Sequence, residues 1–305
     1  MPSGNPAHSS LLDPETVRAL DRLRLELRRR VEGARAGDRR STRRGASVEF
    51  AEHRPYAPGD DPRRVDWNVF SRLGELVVRL SVAEEDVTLH LLVDASRSMA
   101  EGEPSKLHRA RRLAAALGYL CLTGSERVAL TVTSKGAARP GDALRGRRRV
   151  GELLARLDAL APEGEAAMER AVDAVLSGVG RKAGVAVALT DFLDEAGSAQ
   201  RAVRRLCAAR HETVAVHLLS EAELSPPMMG EVDLVDSETG QALQLTVDDD
   251  ALVAYRARLD AWVSELDADL RRRGARYVRA FGDRPELDVL TEALGARAGG
   301  RGWSS

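Results

Sequence analysis

From Val87 onward the chain alternates between short apolar runs and longer stretches whose apolar residues recur every three or four positions. The runs at 87–94, 126–134, 184–191, 212–219 and 275–281 have strand length, and the stretches at 104–123, 148–160, 166–179, 196–209, 250–273 and 285–296 predict helices. Strands separated by helices of this length require βαβ crossovers, and their near-continuous apolar character fits a sheet covered on both faces. The expected fold class is therefore α/β, with a doubly wound, mostly parallel sheet. An Arg-rich loop is expected after 134. At 226–248 the pattern changes to two alternating runs around Ser237-Glu238-Thr239-Gly240, which predicts a β-hairpin inserted into the sheet's connectivity.

Ahead of this region the signals differ. Residues 1–12 read as a loose tail, as do 298–305. Asp13, Pro14 and Glu15 form a helix start, with Asp as cap and Pro at the first helical position. Val17, Leu20, Leu23, Leu27 and Val31 continue it as an apolar stripe ending near Gly33, while Arg18, Arg22, Arg28 and Arg29 lie opposite. Polar residues 35–46 read as a linker, which makes 13–46 one N-terminal extension. Residues 47–86 are expected to pack on a core of 87–297, with the hairpin near 230–248. Within that segment Pro58-Gly59-Asp60-Asp61 is turn chemistry. Pro62 is expected to open a short helix carrying Val65, Trp67 and Phe70, and Leu76, Val78 and Leu80 alternate as in a strand. Arg54, Arg63, Arg64, Arg72, Asp60, Asp61 and Asp66 predict either a charge network stapling the segment to the core or a partner-facing surface.

Composition narrows the function classes. Apolar residues make up 43% of the 305 but aromatics only 4%, so the core must be built from Leu, Val and Ala. A net charge of -1 excludes a globally basic nucleic-acid binder. The chain has no isoleucine, and its only lysines are Lys106, Lys135 and Lys182. This bias fits a GC-rich bacterial genome and lowers the weight of Arg-rich patches such as Arg145, Arg147, Arg148 and Arg149. Cys121 and Cys207 lack zinc spacing and read as small buried residues of a reducing compartment. No signal peptide and no run of about 18 uninterrupted apolar residues is found, so no membrane span and a cytoplasmic location are expected. The six histidines show no metalloprotease spacing, and His90 and His217 fall within strands.

Candidate chemistry gathers at one point. The apolar run VTLHLLV ends on Asp94, and Ser96 and Ser98 follow at alternate positions. Ligands of open α/β sheets collect outside the carboxyl ends of strands. Carboxylate and hydroxyl oxygens there suit a small hard cation such as Mg²⁺. Met99 reads as a packing residue, because Mg²⁺ avoids thioether sulfur.

The pattern Asp94-x-Ser96-x-Ser98 resembles the start of the metal-ion-dependent adhesion site (MIDAS) of von Willebrand factor A-like domains. VAVALTDF, ending on Asp191, resembles the strand whose terminal Asp completes that site. The preceding RPYAPGDDPRRVDWNVFSRLGELVVR, together with LLVDASRSM and the segments from LVDSETG to LTEAL, is similar to the bacterial domain of unknown function 58 family over roughly residues 45–296. The resemblance implies a Rossmann-type three-layer core and Mg²⁺ or Mn²⁺ held by Asp94, Ser96, Ser98 and Asp191. It also implies an acidic residue of a protein partner at the metal, and work beside a MoxR-type AAA+ ATPase rather than an established reaction.

One departure stands out. Where the family's Gly-Gly-Thr loop supplies a Thr, this chain reads PEGEAAMERAV, with Gly164 kept and Glu165 at the Thr position. Three readings stay open: Glu165 ligates the metal, it points away and weakens the site, or the metal is lost while the loops still bind a partner. A non-enzymatic interaction or adaptor role leads. Its rivals are a metal-dependent phosphoryl transferase or hydrolase using Asp94, and nucleic-acid binding through the Arg-rich segments. The first lacks a positioned base and a P-loop, and the neutral net charge opposes the second.

Overall fold

A computed structural model describes residues 11–26, 53–58, 60–62, 65–79, 87–178, 183–194, 197–235 and 242–295. The chain divides into two compact units, one of residues 1–23 and 86–303 and the other of 24–85 with 304–305. The first unit carries the start of helix α1, helical from 14 to 26. Asp13 caps it as expected, its carboxylate accepting from the Thr16 amide at 2.8 Å. The expected helix end at 27–33, the linker at 35–46 and the tail at 298–305 lie outside the described residues.

The second unit holds β1 (His53–Pro55), α2 (Trp67–Leu73) and β2 (Val77–Arg79), with β1 and β2 antiparallel. Pro62 lies in 3₁₀ conformation, its carbonyl accepting from the Val65 amide at 3.3 Å, and the expected helix carrying Trp67 and Phe70 begins separately at Trp67. Asp66 caps it, its carboxylate accepting from the Val69 amide at 3.3 Å, and Val65 instead bridges to Val78. Asp60 closes the turn before it by accepting from the Ala57 amide. The expected charge network rests partly on Arg63 and Arg64, which lie outside the described residues.

The large unit is the α/β layer structure that the alternation predicts. Its elements run β3 (Thr88–Asp94), α3 (Lys106–Thr123), β4 (Arg127–Ser134), β5 (Ala137–Pro140), β6 (Leu144–Arg145), α4 (Val150–Asp158), α5 (Met168–Ser177), β7 (Val185–Thr190), α6 (Ser198–Ala208), β8 (Glu212–Leu219), α7 (Glu221–Leu224), β9 (Gly230–Val235), β10 (Ala242–Val247), α8 (Asp249–Arg272), β11 (Arg276–Phe281) and α9 (Glu286–Ala293). Spatial order in the main sheet is β11-β8-β7-β3-β4-β5, and β6 also pairs with β4. The first five strands are parallel, while β5 and β6 run antiparallel to β4. These two short strands occupy the segment expected to be an Arg-rich loop. Strands of four and two residues have no room to show alternation.

Helices α3, α4 and α9 cover one face, and α5, α6 and α8 cover the other. All seven residues of β3 are buried, as a central strand between two helical layers requires. The scarcity of aromatics is met by small residues: Ala171, Ala186, Ala188, Ala199, Ala202 and Ala215 share one core with Leu92, Val172, Val203 and Leu206. On the opposite face α3 comes so near α4 that a Cβ at Gly118 would lie 2.2 Å from Leu153 Cδ2. Strands β9 and β10 pair only with each other, in the register Val235↔Ala242 to Gly230↔Val247. The inserted hairpin is thus present, and its Ser-Glu-Thr-Gly turn lies outside the described residues. Cys121 sits buried in α3 and Cys207 half-buried in α6.

Candidate functional site

Because β3, β4 and β7 are parallel and adjacent, their carboxyl ends open onto one rim. Asp94 is the last residue of β3 and has no exposed surface. Its Oδ1 accepts from the Ser96 amide at 3.0 Å and from the Thr133 hydroxyl at 3.4 Å, and its Oδ2 accepts from the Thr190 hydroxyl at 2.7 Å. The turn from Asp94 to Ser96 lets the chain leave the strand, and a short 3₁₀ turn at Arg97–Ala100 follows. Met99 is fully buried below it, as a packing residue should be.

Ser96 Oγ and Ser98 Oγ face one another at 3.1 Å. Asp191 follows directly after β7 and is buried. Its Oδ1 accepts from the Leu193 amide at 3.1 Å, and its Oδ2 accepts from the Lys106 ammonium at 2.7 Å. Burial first, and the Asp191 charge second, push the Asp94 carboxyl up to about 6, against the hydrogen bonds from Thr190 and Ser96. The two carboxylates therefore share one low-dielectric neighbourhood.

The loop between α4 and α5 is stitched to this rim by backbone hydrogen bonds. The Arg97 amide donates to Gly164 O and the Glu163 amide to Ala95 O, each at 2.8 Å, and the Gly136 amide donates to Glu165 O at 3.0 Å. Gly164 is needed there, since its φ is +63° and a Cβ would lie 2.6 Å from Lys135 Cα. The Glu165 side chain is exposed and makes no hydrogen bond among the described residues. Hydrogen bonds join Asp94, Ser96 and Ser98, Asp191 acts on Asp94 through its charge, and the exposed Glu165 side chain joins none of them among the described residues. No group of three His, Cys, Asp or Glu side chains converges among the described residues.

The donor set nonetheless suits a hard divalent cation. Oxygen ligands at 2.0–2.1 Å in an octahedron lie about 2.9 Å apart along its edges, close to the spacing of the two serine hydroxyls. A buried carboxyl raised by a second carboxylate is also the electrostatic environment that a cation would relieve.

Thr133, Thr190 and Lys106, which bond the two aspartates, were not among the candidates named from the sequence. Thr190 was hidden inside an apolar strand. Lys106 stands in the first turn of α3, after the cap residue Ser105, and its side chain is 1% exposed. The available hint was that a chain relying on arginine keeps a lysine beside its candidate site. Lys106 also donates to Glu223, whose other oxygen closes a capping box with Ser220 on α7. Burial would lower the ammonium's pKa, but the Asp191 and Glu223 carboxylates outweigh it and hold the group above its usual value.

Residues 52–265 match the family described as "Protein of unknown function DUF58". An uncharacterized protein of Mycobacterium tuberculosis is 30% identical over 294 residues, which are 94% of this chain and 92% of that one. Among solved structures, BatB from Bacteroides thetaiotaomicron is 15% identical over 68% of this chain and 96% of its own, with a TM-score of 0.43. The SpRpn10 VWA domain is 11% identical over 72% of this chain and 99% of its own, with a TM-score of 0.39. The mostly parallel sheet with helices on both sides is a doubly wound α/β fold, and the chain belongs to the DUF58 family.

Proposed function

We propose that this chain is a non-enzymatic interaction module that takes a divalent cation, Mg²⁺ or Mn²⁺, on Asp94, Ser96, Ser98 and Asp191. The bound cation would supply an open coordination position for a carboxylate from an acidic partner. The observation that carries this reading is the 3.1 Å pairing of the two serine hydroxyls beside two buried carboxylates at the strand ends. A MoxR-type AAA+ ATPase is the proposed partner and the cytoplasm the proposed location. No helix among the described residues is long and apolar enough to cross a membrane. Against the hydrolase alternative, both Asp94 oxygens accept hydrogen bonds and the residue has no exposed surface, which leaves a poor nucleophile.

Titration calorimetry with Mg²⁺ and Mn²⁺ tests this reading. Binding heat is expected for the wild type and none for Ser96→Ala/Ser98→Ala; equal heats would remove the site. The same titration with a candidate ATPase or acidic peptide should show affinity only in the presence of the cation.

Glu165 allows a second check. Because its side chain stands in solvent, a hydroxyl at that position would add a ligand without adding charge. Glu165→Thr is expected to raise affinity for an acidic peptide in Mg²⁺ by about tenfold, the effect of roughly one hydrogen-bond-sized interaction. Unchanged or weaker binding would count against a ligating role for this loop.

A further inference from the structure

Lys106 is an unusual residue for its position. Cations are disfavoured in the first turn of a helix, where the dipole is positive, and α3 has no acidic residue there to offset it. The ammonium is also almost wholly removed from water. Two carboxylates hold it: Asp191 at the end of β7, and Glu223 in α7. Glu223 cannot drift toward solvent, since its Oε2 accepts from the Ser220 amide at 2.7 Å and hydroxyl at 2.9 Å. Its carbonyl accepts from the Tyr255 hydroxyl of α8 at 2.6 Å. A lysine meets this geometry where an arginine fork would not, because a compact point charge can be shared by two separate carboxylates.

We infer that Lys106 is a resident cation that sets how tightly the site takes a divalent ion. This inference rests on the metal reading above. Asp191 is shared: one oxygen lies on the ammonium, and the same carboxylate belongs to the proposed donor set. A divalent cation arriving at Asp94, Ser96 and Ser98 therefore meets a carboxylate already partly neutralised, and a positive charge behind it. Both effects weaken its binding, and the low dielectric of a buried site magnifies them. The carboxylate of an acidic partner supplies the missing negative charge. Cation and partner are thus expected to bind together, each raising the affinity for the other.

Charge-changing variants of the full chain, titrated with Mg²⁺ and Mn²⁺, test this. Lys106→Met leaves the carboxylates uncompensated and is expected to raise cation affinity at least tenfold without partner. Glu223→Gln keeps the ammonium but removes one of its counter-charges, so cation affinity should fall severalfold. Opposite signs in two variants of one ion-pair group are not what simple loosening of the fold produces. If Lys106→Met does not fold, Glu223→Gln decides alone. Wild-type binding with unchanged or lower affinity in Lys106→Met, or with higher affinity in Glu223→Gln, overturns the role of Lys106 and leaves the metal site standing. Absence of binding heat in every protein overturns both.

Discussion

Lowering the pH from 7 to 5 is expected to remove about 2 to 3 kcal/mol of folding stability, through two buried histidines. Burial first, then the charge of neighbouring His211, holds His90 down at about 4. His217 is held at about 3, chiefly by burial; Lys106 and Arg279 act in the same direction, and Asp191 acts against them. Each ring is neutral in the folded protein, and its Nε2 is buried with no hydrogen-bond partner among the described residues. The unfolded chain takes up these protons near pH 6.5, so the stability is complete above that value and is lost as pH falls toward the folded values. Each histidine accounts for about 2 kcal/mol between pH 7 and 5. Asp94 works the other way: its raised folded pKa makes the folded state bind a proton first, which returns about 1 kcal/mol over the same range. Urea melts across this range, at constant ionic strength, measure the slope. His90→Leu should reduce the loss by about 2 kcal/mol. An unchanged slope in that variant would show that His90 is charged in the folded protein.

Arg109→Met is expected to destabilise the protein by about 4 kcal/mol, more than any surface arginine. Arg109 lies in α3 with 6% of its surface exposed. It donates to the carbonyls of Ala280 at 3.2 Å, Arg284 at 2.7 Å, and Gly282. These carbonyls lie at the end of β11 and in the turn into α9, so one side chain replaces the regular hydrogen bonds that this stretch lacks. Its removal leaves acceptors in a partly buried place with no donor, which costs more than the net gain of a hydrogen bond. Arg201→Met is the matched control. Arg201 pairs with Glu169 at 2.8 Å, but the two side chains are 45% and 35% exposed. A pair this open to solvent is screened and contributes little. Chemical melts of the two variants should therefore separate clearly. Similar losses would mean that the buried guanidinium is no better used than the exposed one.

The parallel sheet was legible because its physics is local. A strand buried on both faces must be mostly apolar, and β3, β7 and β8 are, apart from His90, His217 and the polar residues at their ends; a crossover helix must have a stripe, and α5 and α6 do. Asp94 was legible for the same reason, as the first charge after such a run. Beyond that the sequence was silent wherever a contact joins distant segments. Lys106 and Glu223 are separated by 117 positions, and Thr190 and Asp94 by 96. No periodicity encodes such pairs. Arg109 could not be singled out from the other arginines by type or spacing. Strands β5 and β6 escaped for a different reason: pairing with β4, rather than their own side chains, makes them strands. The single helix expected from Pro62 divides because two helix-start signals stand four residues apart, a 3₁₀ turn at Pro62 and α2 capped by Asp66.

Strand β5 also governs how this molecule meets copies of itself. It runs along the outer side of β4 and finishes in Arg139 and Pro140, with Pro140 opposite Thr131. Proline offers no amide hydrogen, and a guanidinium beside it repels its own kind. A neighbouring molecule attempting to extend the sheet from that border finds a missing donor and a like charge. The fold thereby closes one direction along which α/β proteins could polymerise.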